Sequence, residues 1–234
     1  MIILPLSGID EIKFISQGGS NMLNKVRFFI LFLISVILVG CAGVTVHDDL
    51  NVAPGKIEGN QFTGIRYPFK VEVPQGWKMA TEFPDFLKEM GYEEPGRYDK
   101  EVTELYIFNP ATRSSIQIDF TPASPRAKFS QEKMEAITTV ATGSFKEELE
   151  KDYGKDIKAQ IGPTTPFSLK GVQFAAKKYA TYTLHGVKRE QGWIYGFAEP
   201  YQMFILYMIL EKEGANDRQE LNKILESFEF HPTK

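Results

Sequence analysis

The sequence predicts an α+β domain built on an antiparallel sheet with helices packed against it. Three observations carry this. Runs of alternating apolar and polar residues recur and pair across turn signals, the mark of hairpins. One run, Met203-Phe204-Ile205-Leu206-Tyr207-Met208-Ile209-Leu210, is apolar without alternation, so it predicts a strand covered on both faces and central in its sheet. Two other stretches repeat apolar residues at three and four, the spacing of an amphipathic helix.

Taken in order, Tyr67 to Val73 alternates and predicts a half-buried strand, turned by Pro74-Gln75-Gly76-Trp77. Phe83 to Met90 suits a short helix ended by Gly91, and Glu93 to Lys100, with Pro95-Gly96, a loop. Glu104–Phe108 and Ser115–Phe120 are expected strands joined through Asn109-Pro110-Ala111-Thr112-Arg113. Ser130 is a good N-cap for a long helix running to Gly154, with Phe129 and Met134 placed for a hydrophobic staple. Met134, Ile137, Ala141, Phe145 and Leu149 share its apolar face. Ile157 to Ile161 is an expected strand. Val172–Leu184 and Val187–Phe197 form a hairpin about His185-Gly186, and Tyr201–Leu210 follows. Asp217 is the expected cap of a last helix carrying Leu221, Ile224 and Leu225, before the extended Ser227-Phe228-Glu229-Phe230.

The opening Tyr67-Pro68-Phe69 to Val73-Pro74-Gln75-Gly76-Trp77 is similar to the start of PsbP and Mog1-like domains. The ending, where an apolar strand and a helix lead into Leu225-Glu226-Ser227-Phe228-Glu229-Phe230, is similar as well, and the element order matches from about Phe62 to His231. The resemblance implies an α/β/α sandwich, a central antiparallel sheet between helices, over residues 62–231. It implies binding or assembly roles and no shared catalytic set.

The N-terminal part reads as an address. Met22-Leu23-Asn24-Lys25-Val26-Arg27 is basic, and Phe28 to Val39 is apolar. These are the parts of a secretory signal. Leu38-Val39-Gly40-Cys41 resembles the lipobox of bacterial lipoproteins. That implies a signal peptide over 22–40, cleavage between Gly40 and Cys41, and acylation of Cys41 of the palmitate type. The chain would then meet the membrane through lipid, two or three acyl chains each adding roughly 0.8 kcal/mol per buried methylene. A transmembrane span is the competing reading, although it needs roughly 20 apolar residues. An ordinary signal peptide with a free cysteine is the other. Ala42, where enterobacterial inner-membrane lipoproteins tend to have Asp, resembles an outer-membrane address facing the periplasm. Residues 1–21 carry Asp10, Glu11 and Lys13 and read as an extension upstream of a start at Met22. Residues 41–61, with Pro54-Gly55 and no apolar periodicity, read as a flexible tether.

The composition is 43% hydrophobic and 13% aromatic, enough for one domain's core. The formal charge is −3; the segment before Cys41 carries +1 (Lys13, Lys25 and Arg27 against Asp10 and Glu11), so the remainder is near −4. A mildly acidic chain argues against nucleic acid, which requires clustered Lys and Arg. A single cysteine permits no disulfide within the chain.

Catalytic signatures are sparse. His47, His185 and His231 are the only histidines. His47-Asp48-Asp49 has ligand-type side chains on the expected tether, but no zinc-protease spacing or thiolate set accompanies it. No Gly-x-Ser-x-Gly elbow and no phosphate loop occurs in the expected domain. No metal, cofactor or catalytic residue is therefore expected, and the chain is expected not to be an enzyme. Trp193 and Tyr195 share one strand face and, if no helix covers it, form a possible binding surface. The sequence thus favours a non-catalytic binding or assembly module of the cell envelope with a protein partner. A carrier of a small apolar ligand, motivated by Tyr201–Leu210, and a hydrolase using His185 remain alternatives.

Overall fold

Two long antiparallel strands, Val187–Ala198 (β10) and Tyr201–Glu211 (β11), organise the computed structural model, which describes residues 52–89, 103–212 and 214–231. The expected signal peptide, Cys41, His47, Met90, Gly91 and the expected loop at 93–100 lie outside those residues. β11 pairs with β10 in full register, from Lys188↔Glu211 to Ala198↔Tyr201. Ser115–Pro122 (β6) flanks β11, and Phe174–Leu184 (β9) flanks β10. Thr103–Phe108 (β5) and Lys78–Ala80 (β4) extend one side; Gln160–Ile161 (β7) and Thr165–Pro166 (β8) pair the outer edge of β9. The result is an eight-stranded antiparallel sheet in an α+β fold.

β11 is central, as expected, but its burial alternates. Met203, Ile205, Tyr207 and Ile209 are buried; Phe204, Leu206 and Met208 are half-buried. The sheet therefore has one tightly covered face and one partly covered face, set by the two-residue period of the strand.

The expected single helix from Ser130 to Gly154 is two helices, Gln131–Ala141 (α2) and Phe145–Tyr153 (α3), broken at Thr142-Gly143-Ser144. The Ser130 side chain accepts from the Lys133 amide at 3.2 Å, as a cap should. Thr138 and Thr142 are buried and return their hydroxyls to the carbonyls four residues back, at 2.8 and 2.7 Å. Such back-bonding competes with the helix ladder, and Gly143 then ends it. The ring of Phe129, just before the cap, stacks on Phe197 at 4.2 Å. α2 and α3 cover the partly covered face over β9 and β10, where Leu149, Ile157, Tyr182 and Leu184 form a small cluster.

The opposite face holds the main core. It is covered by Asp217–Ser227 (α4) and by a second, four-stranded sheet in the order β1-β2-β3-β12, comprising Gly55–Glu58 (β1), Gln61–Gly64 (β2), Phe69–Glu72 (β3) and Glu229–Phe230 (β12). The large sheet thus lies between helices, as the expected α/β/α arrangement has it, and this smaller sheet adds to the cover beside α4. It also corrects the expected tether over 41–61: residues 55–61 already belong to a hairpin, closed by Gly59 at φ +62. Rings from both sheets meet at Phe120 of β6, which lies 5.0 Å from Tyr67, 5.0 Å from Phe69 and 5.9 Å from Phe230. Asp85–Glu89 (α1) is the short helix expected after the first strand, and Phe86 stacks on Phe108.

Asp217 is not a cap. Asn216 takes that position without a side-chain hydrogen bond, and Asp217 is the first helical residue, 3% exposed. Its carboxylate accepts from the Ser114 hydroxyl at 2.5 Å and from the Asn109 amide at 3.0 Å. Ser114 Oγ in turn accepts from the Leu210 amide at 3.0 Å. Trp77 Nε1 donates to Glu220 at 2.6 Å, one turn further along α4. The β5–β6 loop and β4 thus hold the start of α4 against β11. Asp217→Ala leaves the buried Ser114 hydroxyl and the half-buried Asn109 side-chain amide without their acceptor, and urea denaturation is expected to show a loss of about 1–3 kcal/mol.

Candidate functional site

Beside the first turn of α4, where its cover of the main core face ends, an open cleft of about 500 Å³ lies among α4, the β7 edge and the strands β9 to β11. Gln160, Tyr179, Thr181, Lys188, Glu211 and Arg218 line it, with Glu190 at its base. Register explains the convergence. Glu190 pairs with Thr181 on one side and Ile209 on the other, so these side chains share the core face of the sheet. Arg218 reaches the same place from α4.

Glu190 is 1% exposed and doubly held. The Tyr207 hydroxyl donates to Oε1 at 2.9 Å, and the Arg218 guanidinium pairs with Oε2. Across the hairpin, Lys188 Nζ bonds both oxygens of Glu211 at 3.0 Å. Tyr207 can lie over β10 because its register partner is Gly192, where a Cβ would come within 2.0 Å of the ring. Lys177 completes the cluster: its Nζ sits 5.1 Å from the Tyr207 ring centroid and 5.3 Å from that of Phe167.

Burial pushes the Lys177 ammonium below its ordinary 10.5, and the charge of Arg218 adds to the shift. Burial also lowers Arg218, against an opposing contribution from Tyr179. The Tyr207 phenol is raised above its ordinary 10.0 by burial and then by Tyr179, so it remains a hydrogen-bond donor to Glu190 at any physiological pH. The carboxylates of the cleft already have cationic partners, and no histidine lines it. The arrangement presents fixed donors and acceptors rather than a nucleophile with its base.

The residues singled out from sequence lie elsewhere. Trp193 is buried beneath α3, its ring 4.8 Å from Phe145 and edge-on, so a helix does cover that position. Tyr195 is half-buried on the same face, against Phe204 at 4.6 Å. His185 is exposed in the hairpin turn at φ +51, and His231 lies at the end of the described chain, 3.7 Å from Glu229. Gly40 and Cys41 lie outside the described residues. Among the described residues no helix is long and apolar enough to cross a membrane, and no three His, Cys, Asp or Glu side chains group as a metal site. Sequence reasoning missed the cleft. Its signal was Arg189-Glu190-Gln191, charge and polarity inside a long strand between Val187 and Trp193.

No protein-family model and no curated protein matches this chain. Among solved structures it is similar to cyanobacterial PsbP (CyanoP) from Synechocystis sp. PCC 6803, at 9% identity and a TM-score of 0.47, over 81% of this chain and 99% of that one. It is similar also to LpqN, involved in cell envelope biogenesis of Mycobacterium tuberculosis, at 14% identity and 0.44, over 70% and 84%. A protein from Bacteroides thetaiotaomicron VPI-5482 matches at 11% identity and 0.43, over 75% of this chain and 50% of its own length.

Two outcomes test the geometry of the cluster. Gly192→Ala drives a methyl into the Tyr207 ring and is expected to lower stability by about 1–3 kcal/mol, as overpacking does; a melting temperature equal to the parent's would show that the ring is not fixed there. Lys177 has its pKa lowered on folding, so the unfolded chain holds more protons between that lowered value and 10.5, and stability gains with pH across that window. Relative to Lys177→Met, the parent is therefore expected to gain stability as pH rises through the window, read by denaturation at several pH values. A constant difference would place the ammonium in full solvent.

Proposed function

We propose that this chain is a lipid-anchored protein of the cell envelope whose folded domain is a non-catalytic binding or assembly module. The observation that carries the binding role is the cleft itself, an open surface in which Glu190 is already held by Arg218 and Tyr207, and Glu211 by Lys188. Ion pairs closed in this way orient hydrogen-bonding groups toward a ligand and leave none of them as a ready general base. The anchor rests on Leu38-Val39-Gly40-Cys41 and on the basic and apolar segments before it. Ala42 favours the outer membrane, facing the periplasm. The segment from Cys41 to the first strand at Gly55 would set the domain a short distance from the bilayer.

The reading is tested in intact cells fed an alkyne analogue of palmitate and then treated with a membrane-permeant crosslinker. The parent is expected to carry the label, to sediment with membranes, and to give a discrete crosslinked partner. Cys41→Ala is expected to lose the label and the partner and to appear in the soluble fraction. A parent chain without label removes the anchor. A labelled parent with no discrete partner removes the assembly role.

A further inference from the structure

We propose that the cleft beside α4 binds a neutral oligosaccharide, with one sugar ring stacked on Tyr179. This deepens the binding role proposed above and rests on it. The charges of the cleft lining cancel, Lys188 and Arg218 against Glu190 and Glu211, each cation already on a carboxylate, while Lys177 is outside the lining and turned to the Tyr207 and Phe167 rings. An anionic ligand would compete with Glu190 for an arginine whose charge is already neutralised, and a cationic one would compete with Arg218 for Glu190. A hydroxyl-rich neutral ligand displaces neither. It uses the donor and acceptor positions that the pairs leave over, together with the Thr181 hydroxyl and the Gln160 amide.

The second observation is the wall. Tyr179 is 39% exposed and Ile161 is 38% exposed, an apolar edge beside a polar floor. Gly162 lets the chain pass tightly behind the ring, since a Cβ there would come within 2.9 Å of it. The ring is thus backed by main chain and presents its remaining surface to the cleft. A pyranose has the matching shape, with C–H groups on one face and hydroxyls around the rim, and an aromatic ring takes that face. A volume of about 500 Å³ falls in the range of small-ligand sites, roughly 300–1,000 Å³, and the open end lets a chain of sugars continue outward.

The test is isothermal titration of the processed, full-length protein, purified in a detergent without a sugar headgroup. The probes are chitotetraose, cellotetraose and maltotetraose, with tetragalacturonate as the anionic comparison. At least one neutral tetrasaccharide is expected to bind, and more tightly than tetragalacturonate. Tyr179→Ala is expected to weaken it by roughly tenfold or more, while Tyr179→Phe, which keeps the ring, restores it. Circular dichroism checks that both variants fold. Failure of all three neutral sugars, binding indifferent to Tyr179→Ala, or preference for tetragalacturonate overturns the proposal. A missing acyl group on Cys41 would defeat the anchor and leave this titration unaffected, so the two failures are distinguishable.

Discussion

The layers of this fold follow from one requirement, that the apolar part of the core face of the large sheet be covered. That face carries Leu105, Ile107, Ile116, Ile118, Phe120, Ile194, Met203, Ile205, Tyr207 and Ile209, nearly all shielded from water. A strand of eleven residues is about 36 Å long, whereas a helix of eleven residues is about 16 Å. α4 alone therefore cannot cover it. The second sheet supplies the rest, and its aromatic residues Phe62, Tyr67, Phe69 and Phe230 pack into the shared core with Phe120. Arg66 ties this added layer down: its guanidinium pairs with buried Glu104 of β5 at 2.8 Å and donates to the Val52 carbonyl.

The position of the cleft is a consequence of the same shortfall. Asp217, Ser114 and Asn109 fix where α4 begins, and the helix then runs toward the small sheet through Leu221, Ile224 and Leu225. At the ends of β9 and β10 nearest the first turn of α4 the core face opens into the cleft. There the sequence changes from Ile194 to Glu190 along β10, and from Ala175 to Lys177 and Thr181 along β9. The core thus passes into a polar cluster at the limit of the helix.

Much of this architecture was legible in the sequence, because period and turn chemistry are local. The β9–β10 hairpin could be placed from His185-Gly186, and the structure has both residues at positive φ. The centrality of β11 followed from its unbroken apolar run. What could not be read depended on contacts distant in sequence. The break at Gly143 was masked by an apolar spacing that continues across it, from Met134 to Leu149. The hairpin at 55–64 contains only Ile57 and Phe62 as large apolar residues in its first eight positions, too few to stand out as a strand pair. Trp193 and Tyr195 share a face, as alternation requires, but alternation is silent on which helix lies above it. The cleft was least legible, since Glu190, Tyr207 and Arg218 come from three elements and no spacing links them.

Stability alone gives a poor account of Glu190. Enclosing a carboxylate in a sheet carries a desolvation penalty of several kcal/mol, and buried ion pairs can often be replaced by apolar residues with no loss or with a gain. A leucine at this position, beside Ile209 and facing α4, would meet the needs of the core more simply. The partners found here are instead arranged to keep the charge: a tyrosine laid over Gly192 to donate to one oxygen, and an arginine, 45% exposed, to pair with the other. The exposed side of that arginine forms part of the cleft wall. A buried charge whose partner opens to solvent fixes that partner's orientation at the surface, and this is the physical ground on which the cleft is proposed as a recognition surface.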